Sequence, residues 1–250
     1  MMNAARPAVG QRRRLRVAVT AIALTCLVTL GPATGVTFAY SCSITRGHNT
    51  NVAWQAGVLG VPSPYPNGVS ALTDEKDALY TGANSLGPLM SVMLDDYSTM
   101  WGQLGWLYHK YPGGSIAREI FVEHVDGFGN NSWDFWSGMP VGTTTTYMIT
   151  YDPSIGRFNY YVNGSSYAGL NSNTAYRPAR WEIFGETHDA ADQTPGGTSI
   201  HAKFRSAQVR LNGSSTWNAA NGTVHSMGQP DNGASGSSGS FDIWDWQCTS

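Results

Sequence analysis

Residues 145–163 read TTYMITYD–PSIG–RFNYYVN, and no helix accommodates that pattern. Tyr147, Ile149 and Tyr151 alternate with Met148 and Thr150, and Phe158, Tyr160 and Val162 alternate in the segment that follows. A period of two places one apolar row on one face of a pleated strand. Asp152-Pro153 starts a turn and Gly156 closes it, so the stretch reads as a β-hairpin. The same alternation recurs at about 89–95, 101–109, 117–125, 132–137, 179–186 and 199–211, between clusters of Gly, Pro, Asn and Ser. Many short strands at this spacing predict an all-β chain, an antiparallel β-sandwich of the jelly-roll or concanavalin-like kind.

Composition agrees. Nine Trp, twelve Tyr and eight Phe favour strands, and 29 Gly with 12 Pro supply the turns. Residues 60–70 read as a Pro-rich loop, 73–80 as a short helix capped by Thr73, and 213–240 as a long Gly/Ser-rich surface loop. No repeat of 20–50 residues is evident.

Residues 1–39 read as a signal peptide. Arg12, Arg13, Arg14 and Arg16 precede an apolar run from Val17 to Leu30, and small residues follow at Thr37 and Ala39. That run is short of the roughly 20 residues a membrane-spanning helix needs. The expectation is a secreted protein without a stable membrane anchor, with residues 40–250 forming a single sandwich domain. The mature chain then carries ten Lys and Arg against seventeen Asp and Glu, a net charge of −7. With no basic block, it is not expected to bind nucleic acid. Cys42 and Cys248 lie close to the two mature ends, and an end-to-end disulfide is the expected pairing in an oxidising compartment. Such a bridge contributes roughly 4–5 kcal/mol in the chain-entropy picture.

The chemistry available is carboxylate and amide chemistry. There is no HExxH, CxxC or GxSxG, so no metal or cofactor is expected and no serine nucleophile stands out. His188, Asp189 and Asp192 read as a solvated loop. Glu119, Glu123, Glu182 and Glu186 lie inside apolar strand segments. Alternation puts Glu182, Phe184 and Glu186 on one face, with Trp181 and Ile183 on the other. A carboxylate beside aromatic rings is partly desolvated, which raises its pKa towards that of a general acid or base. Gln103, in MWGQLGWLYH, shares a face with Trp101 and Leu107. A neutral amide there can donate a hydrogen bond to a developing oxyanion.

The order of segments resembles the glutamic peptidases in two related patterns. GQLGWLYHKYPGG, ITYDPSIGRFNYYVNG, ARWEIFGE, TPGG and HAKFRSAQV follow the order of a neprosin-type domain. Gln103-Leu104-Gly105, Phe121-Val122-Glu123-His124, the Gly156–Asn163 hairpin and the Trp181–Glu186 strand are similar to the eqolisin pattern. The collinear stretch covers about residues 100–211. The resemblance implies Glu186 as the catalytic glutamate and Gln103 as the catalytic glutamine. The neprosin pattern can have glutamate at the latter position, so Gln103 departs from a two-glutamate site. The expectation is an endopeptidase acting on polypeptides at acidic pH. Trp101, Trp106 and Trp181 are expected to wall its groove, and Glu123 to be a supporting acid. The same aromatic richness and low charge suit a carbohydrate-binding lectin-like sandwich, or a glycoside hydrolase that pairs Glu182 or Glu186 with Glu123.

Overall fold

The computed structural model describes residues 54–74, 76–82, 84–137, 142–187, 189, 192–226, 232–246 and 248. The segment read as a signal peptide, and Cys42, lie outside them. Every named element is a strand: β1 (Trp54–Gly60), β2 (Pro66–Asp74), β3 (Leu86–Asp95), β4 (Met100–Lys110), β5 (Ile116–Asp126), β6 (Asn131–Ser137), β7 (Thr144–Asp152), β8 (Arg157–Val162), β9 (Ser165–Asn171), β10 (Arg180–Thr187), β11 (Ala202–Leu211), β12 (Trp217–Ala219), β13 (Thr223–Ser226), β14 (Asn232–Ser237) and β15 (Ser240–Asp245). They form two antiparallel sheets. One has seven strands in the order β13-β1-β10-β3-β4-β5-β6. The other has eight in the order β14-β15-β11-β2-β7-β8-β9, with β12 paired to β11. This is the expected β-sandwich.

Alternation decides which side chains lie between the sheets. Tyr147, Ile149 and Tyr151 of β7 and Phe158, Tyr160 and Val162 of β8 are buried there. From the seven-stranded sheet come Met90, Val92, Leu94, Leu104, Trp106, Val122, Trp181 and Ile183. The two large indoles, Trp106 and Trp181, are 0% and 1% exposed.

Polar residues enter this layer as well, His124 among them. His124 of β5 is buried, with Nε2 3.2 Å from the Asn171 carbonyl oxygen and Nδ1 3.0 Å from the Tyr160 hydroxyl. A carbonyl only accepts, so Nε2 carries the proton and Nδ1 accepts from Tyr160. Burial holds the His124 pKa below its ordinary value.

Three segments differ from expectation. Residues 66–74 are strand β2, and Thr73 donates from Oγ1 to the Thr145 carbonyl oxygen at 2.9 Å instead of capping a helix. Pairing with β7 and β11 overrides the helical propensity of TDEKDALY. The expected loop at 213–240 contains β12, β13 and β14, and NGASGS becomes a strand by pairing with β15. Asp192 is fully buried: its Oδ1 accepts from the Thr81 amide and hydroxyl, each at 2.7 Å. Beside it Gln193 accepts from the Leu79 amide at 2.7 Å, and the Thr194 amide donates to Asp245 at 3.0 Å. The TPGG segment is therefore pinned into the body by polar contacts. Cys248 is fully buried.

Two outcomes test this packing. Trp106→Ala is expected to cost about 3–5 kcal/mol, the range for removing a large buried aromatic, whereas Trp101→Ala costs much less. Chemical denaturation measures both. For His124, the unfolded chain takes up a proton near pH 6.5 and the folded chain only at lower pH. Its contribution to stability is present above the unfolded pKa and is lost as pH falls, by at most about 1.4 kcal/mol per pH unit. The melting-temperature gap between wild type and His124→Gln should narrow from pH 7.5 to pH 5; a constant gap would count against it.

Candidate active site

The outer face of the seven-stranded sheet is not uniformly polar. Leu89, Leu107, Phe121 and Phe184 form a second buried apolar cluster there, covered by Leu86, Met93, Trp133 and Phe135. Trp133 stacks on Phe121 at 5.7 Å between ring centroids. Acids and one amide are set among these side chains. Strand register gives one row across the sheet: Glu182 on β10, Met93 on β3, Gln103 on β4, Glu123 on β5 and Trp133 on β6. The neighbouring row carries Arg180, Asp95 and Trp101. Glu186 stands four residues beyond Glu182 on the same face of β10, about 13 Å along the strand.

A cleft of about 610 Å³ runs over this face. It is lined by Gln103, Glu123, Glu186 and Trp101 together with Asp95, Tyr97, Trp133, Arg180 and Phe184. Four of the expected site residues thus share one hollow. Trp106 and Trp181 do not line it: each is one residue out of phase with the cleft-facing set, so the strand turns them into the core. This corrects their expected role as groove walls. Trp133 and Tyr97 take that place.

Gly105, two residues after Gln103, has a steric reason. A Cβ there would stand 1.9 Å from the Met90 carbonyl oxygen, so only glycine lets β3 approach β4 this closely. The Gln103 amide is held from the same side, its Nε2 donating to Ser91 Oγ at 2.9 Å. That bond uses one of the two amide hydrogens.

The carboxylates differ in surroundings. Glu123 accepts from Asn131 Nδ2 at 3.1 Å. Asp95 accepts from Arg180 Nε through both oxygens, at 2.7 and 2.8 Å, and burial raises its pKa against the opposing pull of Arg180. Glu182 lies 3.2 Å from Arg180 Nη1. Burial is the main cause that raises the Glu182 pKa to about 7; Arg180 opposes the rise, while Asp95 and Glu186 add to it. At the far end of the same face, buried Glu119 accepts from Tyr111 Oη at 2.5 Å and lies 2.9 Å from His109 Nδ1. Among the described residues no group of three or more His, Cys, Asp or Glu is arranged to hold a metal ion. A second hollow of about 390 Å³ lies elsewhere, by Asp74, Lys76, His201, Lys203 and Asp242.

Sequence reasoning placed Glu182 on the cleft side of its strand but did not find the Asp95–Arg180–Glu182 cluster. Asp95 and Arg180 stand 85 positions apart, and only sheet register brings them together.

No family model matches the chain, and no curated protein does. Solved structures do. SCP-B, a member of the eqolisin family of peptidases in complex with the tripeptide Ala-Ile-His, aligns with 14% identity and a TM-score of 0.51, covering 77% of this chain and 98% of that one. Scytalido-glutamic peptidase with a transition-state analogue inhibitor aligns with 15% identity and a TM-score of 0.50, covering 78% and 98%. A GH16 protein from Bacteroides ovatus in complex with a glucan product aligns at a TM-score of only 0.35, too distant to bear on the fold. At these identities the likeness to the two peptidases is one of fold. Neither is of the neprosin type, and that part of the resemblance rests on the motifs alone.

The state of Glu182 is directly measurable. In carbon-detected NMR of the carboxyl groups, one glutamate should titrate near pH 7, and Glu182→Gln should remove that transition. Titration of every glutamate below pH 5 would contradict the burial argument.

Proposed function

We propose that the chain is a secreted peptidase whose cleft is the outer face of the seven-stranded sheet, and that it hydrolyses peptide bonds with a carboxylate-activated water. The observation that supports this most is the joint placement of Gln103 and Glu186 along one cleft with an apolar, aromatic floor. The fold it shares with two glutamic peptidases points the same way.

Glu186, as carboxylate, takes a proton from water as the water oxygen attacks the scissile carbonyl carbon. The second amide hydrogen of Gln103 stabilises the oxyanion, an interaction worth roughly 3–4 kcal/mol where such donors have been removed. Glu186 then passes its proton to the leaving nitrogen and the C–N bond breaks, with no covalent intermediate. Glu182 holds the deeper position, level with Gln103, and stays protonated through the acidic range.

Glu186→Gln is expected to lower digestion of denatured casein at acidic pH by about 10²–10⁴-fold, the range for a lost general base. Gln103→Ala should cost about 10²–10³-fold. Melting temperatures should stay near wild type. Should Glu182→Gln abolish activity while Glu186→Gln does not, the water-activating role belongs to Glu182. Full activity in all three variants would overturn the proposal.

One observation favours a second reading. Glu123 and Glu186, one of the acid pairs expected of a glycoside hydrolase, both line the cleft. Incubation with denatured protein and with insoluble glucans across pH 3–8 separates the two: new peptide termini support the peptidase, and new reducing ends support the glycosidase.

A further inference from the structure

Among the described residues that line the cleft, Arg180 is the one cation. It is held from several directions. Nε donates to both oxygens of Asp95, at 2.7 and 2.8 Å, and Nη1 lies 3.2 Å from Glu182 Oε1. The guanidinium carbon stands 5.1 Å from the centre of the Tyr97 ring. Tyr97 is itself fixed in an unusual backbone conformation, with φ of 81°. Its amide donates to Asp95 Oδ1 at 2.7 Å, and Asp96 accepts from the Ser98, Thr99 and Met100 amides in the same turn. Nη2 carries no hydrogen bond among the described residues. The Arg180 side chain is 26% exposed, against 4% for each acid it touches. A guanidinium locked along one edge and open along another is a pre-formed fork for a planar anion. Because its rotamer is already fixed, binding there gives up little side-chain entropy.

We propose that the Arg180 end of the cleft is a subsite for a carboxylate carried by the peptide substrate, either the chain terminus or an acidic side chain. This rests on the peptide reading of the cleft and deepens it. The titratable groups facing the guanidinium are Asp95 on β3, Glu182 on β10 and the Tyr97 hydroxyl in the turn after β3. β1 places the uncharged Leu59 opposite Glu182, and β4 places Trp101 opposite Asp95. Asp95 is committed to Arg180 through both of its oxygens. Glu182 competes for the guanidinium only when ionised, so a peptide carboxylate is accepted best while Glu182 holds its proton. Binding of an acidic peptide should therefore weaken as pH rises through 7.

The test is calorimetric titration of the Glu186→Gln protein, which blocks turnover, at pH 5.5 and pH 8. Three N-acetylated tetra-alanine peptides serve as probes. One has a free C-terminal carboxylate, one is the C-terminal amide, and one is the amide with a single alanine replaced by glutamate. Both acid-bearing peptides, or whichever of the two matches the true source of the carboxylate, should bind at least ten-fold tighter than the plain amide at pH 5.5. The advantage should shrink at pH 8. It should vanish with Arg180→Gln, and with Asp95→Asn/Arg180→Gln, which removes the buried pair together and guards against misfolding. Equal binding of acid and amide peptides overturns the subsite. So does an advantage that survives loss of Arg180 or grows towards pH 8, or binding of an oligouronate but of no peptide. Casein hydrolysis by the wild type judges the cleft separately: a working peptidase without acid preference removes the subsite and leaves the peptidase reading standing.

Discussion

Close packing of the two inner faces leaves each strand of the seven-stranded sheet a fixed choice of directions. Trp106, Trp181, Val92 and Leu104 fill the layer between the sheets, where bulk is needed and a polar atom is costly. With a period of two, that commitment sends Gln103, Glu123, Glu182 and Glu186 to the opposite face. A slip of one residue in β10 would put two carboxylates into the core and two large apolar side chains outside. The chemistry of the cleft is therefore set by packing on the side that holds no chemistry.

That outer face has its own tension. It is apolar enough to exclude water around Leu89, Leu107, Phe121 and Phe184, yet it carries several carboxyl groups. Buried charge is tolerated when paired or protonated. Asp95 takes the first route through Arg180, and Glu182 takes the second, its pKa lifted to about 7. One acid is thus held against a cation and the other by its own proton, on one surface.

Much of this was legible in the sequence, because a period of two is a local signal. The eight strands expected from alternation match β3 to β8, β10 and β11 closely. Gln103 and Glu186 stood out as polar residues in phase with apolar partners. The inward turn of Trp106 and Trp181 follows from that same period, one residue out of step. Other features depend on partners far away in the chain. β14, with the sequence NGASGS, has little strand propensity and exists by pairing with β15. TDEKDALY favours a helix locally, but its first two residues, Thr73 and Asp74, end strand β2 between β7 and β11. The Asp95–Arg180–Glu182 cluster and the buried Asp192 needed register and loop closure that no local pattern carries.

The most direct test is where a peptide sits. A crystal structure of the protein with a non-cleavable peptide isostere should show the chain lying across β10, β3 and β4. Its carbonyl mimic should face the Gln103 amide, and one end should be near Arg180. A peptide seated instead in the hollow by His201 and Asp242, or on the outer face of the eight-stranded sheet, would contradict the account.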